Sequence, residues 1–289
     1  MVRESGIEDL VDVERYPITR LNSPAGRALI AQCQAELKAE GAANLDGFLL
    51  PDAALSLSRE AEALLPQARV SRHQRNVYVR PVDETWPQDH PGRRLMEGGR
   101  AQIAYDQIPD TAGVRRLYLS DALTEFVAAA LGKRKLFRFA DPFQALNLIY
   151  LRDSEGSPWH FDHNDSTVTL LLQAPELGGE FEYVPFLRTK ENENFEGVGR
   201  LLAGDRTNVR VPARSSGTLT LFLGEFSAHR VTPVRGQLSR ITAIMTYDEQ
   251  PDRESTDETN ILVYGRRVAD IIAQRRLRQG QLVPDSPHN

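Results

Sequence analysis

His160, Asp162 and His229 are the residues whose types and spacing could do chemistry. An imidazole and a carboxylate at i and i+2 project from the same face of a strand, because side chains alternate with period two. Side by side they cover two adjacent corners of an octahedron. A third ligand from a distant strand, His229, completes one face and leaves three positions open. That arrangement suits non-haem iron(II), whose open sites admit a cosubstrate and dioxygen. Arg240 lies eleven positions after His229 at the start of the next strand, and Thr242 shares its face. A guanidinium beside a hydroxyl can clamp a carboxylate bidentately and add one more hydrogen bond. Arg235 competes for that role, but it precedes Gly236 and reads as a solvated turn residue.

Positioning these side chains requires strands, and the pattern after residue 140 supplies them. FQALNLIYLR, STVTLLLQ, GEFEYVPFL, NVRVPA, GTLTLFLG, HRVTPV and SRITAIMTY are short β-rich runs separated by Gly, Pro, Asp and Asn. Such spacing is that of an all-β sandwich or jelly roll. The polar stretch 191–205 reads as an insertion between strands. Upstream, 24–40 is an amphipathic helix stopped at Gly41, 47–50 a short strand, and 51–65 a second helix opened by Pro51-Asp52. Residues 77–79 read as a strand, 81–100 as a long loop, and 119–132 as a helix capped by Ser120 or Asp121 and ended by Gly132. Helical periodicity returns over 257–277, and the last dozen residues read as frayed. The expectation is an α+β, mainly β chain: a loose arm over 1–22 and one domain over 23–289.

Composition narrows the function. A net charge of −5, from 35 basic and 40 acidic residues, argues against a nucleic-acid partner held by a broad basic face. Cys33 is the single cysteine, which excludes an intrachain disulfide and a cysteine-rich zinc site. No run approaches the ~18 apolar residues of a membrane span. The acidic start lacks an apolar stretch of signal-peptide length, so the expectation is a cytoplasmic protein. Two local basic stretches, 72–76 and 89–94, read either as solvated faces or as a lid that recognises an anionic group of a substrate. The Arg-rich end of the last helix suits the negative pole of the helix dipole or an oligomer contact, leaving a homo-oligomer open.

His160-x-Asp162, His229 and Arg240-x-Thr242, in this order and these strand contexts, resemble the iron(II)/2-oxoglutarate oxygenase superfamily. The resemblance covers roughly residues 43–248. It implies a double-stranded β-helix (jelly-roll) core, with N-terminal helices and a C-terminal helix outside it. It further implies iron(II) on His160, Asp162 and His229, 2-oxoglutarate chelating the metal, and Arg240 with Thr242 on the far carboxylate. Asn147 and Tyr150, on the strand before the motif, are further candidates for the cosubstrate. More narrowly, WHFDHNDSTVTLLLQAPELGGEFEYVP is similar to the free amino-acid halogenases and their hydroxylase relatives. Halogenases of that branch carry a small residue at the carboxylate position, leaving room for chloride; Asp162 fills it here. The implied reaction is hydroxylation of an unactivated C–H bond of a small molecule, a free amino acid or related metabolite, with dioxygen as oxidant. A protein or peptide hydroxylase on the same core and a non-catalytic metal-binding jelly roll are the alternatives. His163 falls on the opposite face from Asp162, while Asn164 and Asp165 fall near the mouth.

Overall fold

In the computed structural model, residues 6–280 are described. The helices are α1 (Pro24–Glu40), α2 (Pro51–Leu64), α3 (Gly113–Leu119), α4 (Asp121–Ala130), α5 (Phe195–Leu202), α6 (Asp257–Tyr264) and α7 (Arg266–Gly280). The strands are β1 (Ala42–Leu45), β2 (Arg69–Arg75), β3 (Met96–Ile103), β4 (Phe137–Arg138), β5 (Leu146–Leu151), β6 (Ser157–His160) and β7 (Thr167–Gln173). They continue as β8 (Leu177–Gly178), β9 (Phe181–Val184), β10 (Leu219–Phe222), β11 (Ala228–Val231), β12 (Val234–Arg235), β13 (Arg240–Met245) and β14 (Tyr247–Asp248). A seven-stranded sheet in the order β1-β10-β7-β13-β5-β3-β2 faces a three-stranded sheet in the order β6-β11-β9, and the named pairings are antiparallel. The non-consecutive neighbours wind the chain between the two layers, which is the jelly-roll pattern.

Alternation decides what each layer carries. On the outer face of the large sheet, Tyr150, Ala101 and Ile241 stand at paired positions and join Leu57, Leu117, Phe126 and Leu146 in the main core beneath the helices. The inner face is different: Arg240, Thr242, Thr169 and Thr220 point toward the small sheet. Burying apolar area on one face only leaves the other free for polar work.

Helix α1 begins where Ser23 Oγ accepts from Gly26 N (3.0 Å) and ends at Gly41, whose φ of 69° is the left-handed conformation glycine takes without a Cβ clash. Several expectations need correction. Residues 6–22 are no loose arm: Ile7, Leu10, Val11 and Ile18 are buried in the main core, and Val11 bridges Leu49. An irregular segment can anchor itself through single apolar side chains that have no period to read. The strand expected over 77–79 is instead a turn, with Val79 at φ 52°, and the true strands are β2 and β3 on either side. The run 208–213 contributes only an exchange between Arg210 and Tyr183. Part of the 191–205 insertion is helix α5, capped by Asn194. The helix over 119–132 divides at Ser120, and the C-terminal helix divides at Gly265. The frayed end expected for the last residues lies mostly outside the described ones.

Candidate metal centre and its cavity

His160 ends β6 and His229 sits in β11, directly opposite it in register. Cross-strand partners bring their side chains together, and the two rings lie 4.0 Å apart between centroids. Asp162 is two residues past the end of β6. Its N–H donates to Gly224 O (3.0 Å), and Phe161 N–H donates to Val77 O (2.8 Å), which hold the chain extended so that Asp162 returns to the side of His160. The ligand atoms of the three residues all lie within 4.8 Å of one another. Asp162 Oδ1 is 3.7 Å from His160 Nε2 and 3.4 Å from His229 Nε2.

The orientation of each donor follows from its other contacts. Nδ1 of His160 lies 2.8 Å from Pro158 O, and Nδ1 of His229 lies 3.1 Å from Ser227 O. A carbonyl only accepts, so each Nδ1 carries a proton, and each Nε2 is turned toward the centre. Burial, then the neighbouring His229 and Arg75, hold His160 well below the ordinary histidine range, which keeps its ring neutral. Burial pushes the Asp162 carboxyl up, yet His229, His160 and the Thr167 hydroxyl outweigh it and keep it ionised. That hydroxyl donates to Asp162 Oδ2 at 2.7 Å. Two imidazoles and a carboxylate, with second-layer partners in place, fit iron(II). Gly224 makes the fit possible: a Cβ there would stand 2.2 Å from Asp162 Oδ2 and 2.7 Å from its Cγ.

The small sheet that carries both histidines is pinned by Glu182 on β9, buried between Arg206 and Arg230, with Arg230 Nε at 2.5 Å. Burial raises the Glu182 carboxyl, but both guanidiniums together hold it below its usual range. A carboxyl with a lowered folded pKa contributes stability above its unfolded value of ~4.3 and loses it as pH falls. Glu182→Gln is therefore expected to melt below the wild type at pH 7, with the gap closing in acid. Thermal melts across pH 3–7 check this, and an equal gap at both ends would refute it.

The centre opens into a cavity of about 250 Å³ between the sheets. Arg240, buried, lies in its wall; its Nε donates to Gly179 O (3.0 Å) and its Nη1 to Thr242 Oγ1. Arg214, from the loop before β10, reaches the same wall and donates to Thr169 Oγ1 (3.2 Å). Burial lowers the Arg240 guanidinium to about 10, and burial plus Arg240 lowers Arg214 to about 9, so both stay charged at neutral pH. Phe222 meets His229 edge-on at 4.8 Å and Phe181 at 5.1 Å, giving the region between metal and arginines an apolar wall.

Of the other expected site residues, Tyr150 and Asn147 are corrected. Tyr150 faces the helices, its hydroxyl donating to Ala61 O (2.7 Å). Asn147 shares the parity of the inner face but lies past the cavity's end, where its Oδ1 accepts from Gln102 Nε2 (2.6 Å) and Tyr264 OH (2.6 Å). Arg235 is exposed on β12. His163 is exposed, with Nε2 3.2 Å from Val79 O, and Asp165 pairs with Lys133 at 2.7 Å beside a neighbouring cleft. Of the two basic stretches, only 72–76 reaches the cavity, through His73 and Arg75. Arg93 and Arg94 of the second donate to backbone carbonyls. Sequence reasoning missed Arg214, Arg100 and Gly224, which carry no local motif.

A protein-family model described as Halogenase D matches residues 25–265. Among curated proteins, none matches the sequence. Similar solved structures include AviO1 from Streptomyces viridochromogenes Tue57, at 20% identity and TM-score 0.52, covering 76% of this chain and 95% of that one. The epimerase SnoN from nogalamycin biosynthesis, in complex with Fe3+, alpha ketoglutarate and nogalamycin RO, aligns at 14% identity and TM-score 0.52, covering 76% and 84%. A prolyl hydroxylase from Trichoplax adhaerens, bound to a hypoxia inducible factor peptide fragment, aligns at 16% and 0.51, covering 78% and 91%. At these identities the likeness establishes a shared fold.

Proposed function

Because the chain belongs to the Halogenase D family, we propose that it is an iron(II)- and 2-oxoglutarate-dependent oxygenase hydroxylating a C–H bond of a small molecule. The substrate class is an amino acid or related metabolite. One observation carries this reading: three metal-type donors and a buried arginine–threonine pair line one cavity. His160, Asp162 and His229 hold the metal on one side. Arg240 and Thr242, across the gap, receive the far carboxylate of the cosubstrate, with Arg214 and Thr169 adjoining. Iron(II) and 2-oxoglutarate, held by these residues, would supply the oxidising power: one oxygen atom of dioxygen would go to the succinate formed with loss of carbon dioxide, and the other to the substrate carbon. The protein's own share is to fix donor geometry, keep the His160 ring neutral and shield the site with Phe181 and Phe222.

Hydroxylation is favoured over chlorination because Asp162 occupies the place where a halide would sit, and both Gly224 and Thr167 accommodate that carboxylate. The cavity's volume suits a small substrate better than a peptide strand. Anaerobic titration with iron(II) and 2-oxoglutarate tests the reading. A weak visible charge-transfer band, followed by amino-acid-dependent succinate release in air, is the expected result. No band would leave a non-catalytic metal-binding protein. Arg240→Gln is expected to raise the KM for 2-oxoglutarate by ~10–100-fold, the loss of one or two charge-assisted hydrogen bonds. An unchanged KM would place the carboxylate elsewhere.

A further inference from the structure

Beyond the centre and the Arg240 clamp, the same cavity has a second basic wall, built by the β2–β3 hairpin. Register puts Arg100 opposite Ser71, Gly98 opposite His73 and Met96 opposite Arg75, so His73, Arg75 and Arg100 share one face. All three line the cavity. Nε of Arg75, Nε of Arg100 and Nε2 of His73 are buried without a hydrogen-bond partner among the described residues. Arg75 keeps one contact, donating from Nη2 to Ser157 Oγ (3.0 Å). Burial and mutual repulsion with Arg100 lower Arg75 to about 10, and burial with both arginines lowers His73 to about 4, leaving a neutral ring between two cations.

Arg75 and Arg100 are half-buried, and folding does not ordinarily crowd like charges together out of water unless something else neutralises them. Among the described residues no side chain does: Asp162 is the sole acid of those lining the cavity, and the metal would claim it. With a divalent ion, Asp162 and a dianionic cosubstrate in place, the four lining arginines, 75, 100, 214 and 240, still leave the cavity three charges positive. A zwitterionic amino acid would bring no net charge, and its ammonium would find no carboxylate.

We propose that the substrate carries two negative charges on oxygen, on two carboxylates or on one phosphate, with at least one anionic group received between Arg75 and Arg100 with His73 beside them, and that its negative charges outnumber any positive one. This rests on the oxygenase reading above and narrows its substrate class. Dicarboxylates, acidic amino acids and phosphate monoesters share that chemistry. A guanidinium presents paired N–H donors to either carboxylate or phosphate, and a neutral His73 Nε2 can donate or accept as the bound oxygen requires.

The test is calorimetry on the full-length protein loaded anaerobically with iron(II) and 2-oxoglutarate. The probes are L-malate, L-aspartate, L-glutamate and glycerol 3-phosphate, set against L-lysine and L-leucine. At least one of the four probes bearing two negative charges on oxygen is expected to bind tenfold or more tighter than either control, and which one identifies the source as carboxylate or phosphate. That affinity should fall at least tenfold in both Arg75→Gln and Arg100→Gln while the charge-transfer band of the iron–cosubstrate complex persists, showing the fold and cosubstrate site intact. If the band forms but no dianion outcompetes lysine or leucine, the inference is overturned. Equal dianion binding by both variants and wild type overturns it as well. Absence of the band in the wild type strikes the oxygenase reading instead; in that case dianion binding to the metal-free chain, lost in both variants, still supports the hairpin site, and its absence removes it.

Discussion

Asp162→Gly is expected to lower hydroxylation by more than ~100-fold, since even outer-layer partners of a metal ligand are worth 10–100-fold and Asp162 touches the centre itself. The same change opens a small chamber. Gly224, which approaches Asp162 too closely for any Cβ, would then face empty space, and the Thr167 hydroxyl would lose its acceptor. A chloride ion fits both the space and the freed donor. With chloride and a substrate, the variant is expected to give a product heavier by the exchange of hydrogen for chlorine, detected by mass analysis. Hydroxylation at an undiminished rate would show that Asp162 is not a ligand. Iron binding without chlorinated product would show that space alone does not convert the reaction.

The second large effect comes from a residue with no functional group. In Gly224→Ala the new methyl would overlap Asp162 Oδ2 and Cγ, against backbone that Asp162 N–H already grips through Gly224 O. Either the carboxylate rotates off the centre or the 223–226 turn retreats and the hydrogen bond from Asp162 N–H to Gly224 O breaks. Both displace a ligand on the scale of an ångström, which costs about 100-fold where geometry governs rate. The expected result is a 10–100-fold loss of iron(II) affinity and a similar loss of turnover, with little change in the KM for 2-oxoglutarate, whose far carboxylate is proposed to lie across the cavity. Iron titration followed by competition with a chelator measures the first; steady-state kinetics measures the rest. A variant with wild-type iron affinity would mean the turn yields freely and Gly224 has no positioning role.

How much of this was legible beforehand depended on whether the signal was local. The bounds of α1 could be read from Ser23 and Gly41 because caps act within a few residues. His160, Asp162, His229 and Arg240 were found because each sits in a recognisable strand context, and the structure does bring the first three together and line one cavity with all four. The β2–β3 hairpin was missed for an instructive reason. Strands are recognised by an apolar face, but the inward residues of RVSRHQR include His73 and Arg75, and those of MEGGRAQI include Gly98 and Arg100. A ligand-facing strand inverts the usual pattern and reads as loop. Tyr150 failed as a site residue on parity alone: it is one position from Ile149 and Leu151, which do line the cavity. Arg214 comes from a loop whose approach to Thr169 is fixed only by the assembled sheet.

On the proposed reading the two sheets divide the labour, so that no single strand would hold both ends of the cosubstrate. The metal-type donors of β6 and β11 belong to one layer, whereas Arg240 belongs to the other, and the rings of Phe181 and Phe222 stand in the seam. The separation of the layers would then be a ruler for carbon chains, fixing how many methylenes can stretch from a chelating oxoacid to a guanidinium. Tolerance for shorter or longer 2-oxo diacids would then be written in the thickness of an aromatic spacer, far from any atom that reacts.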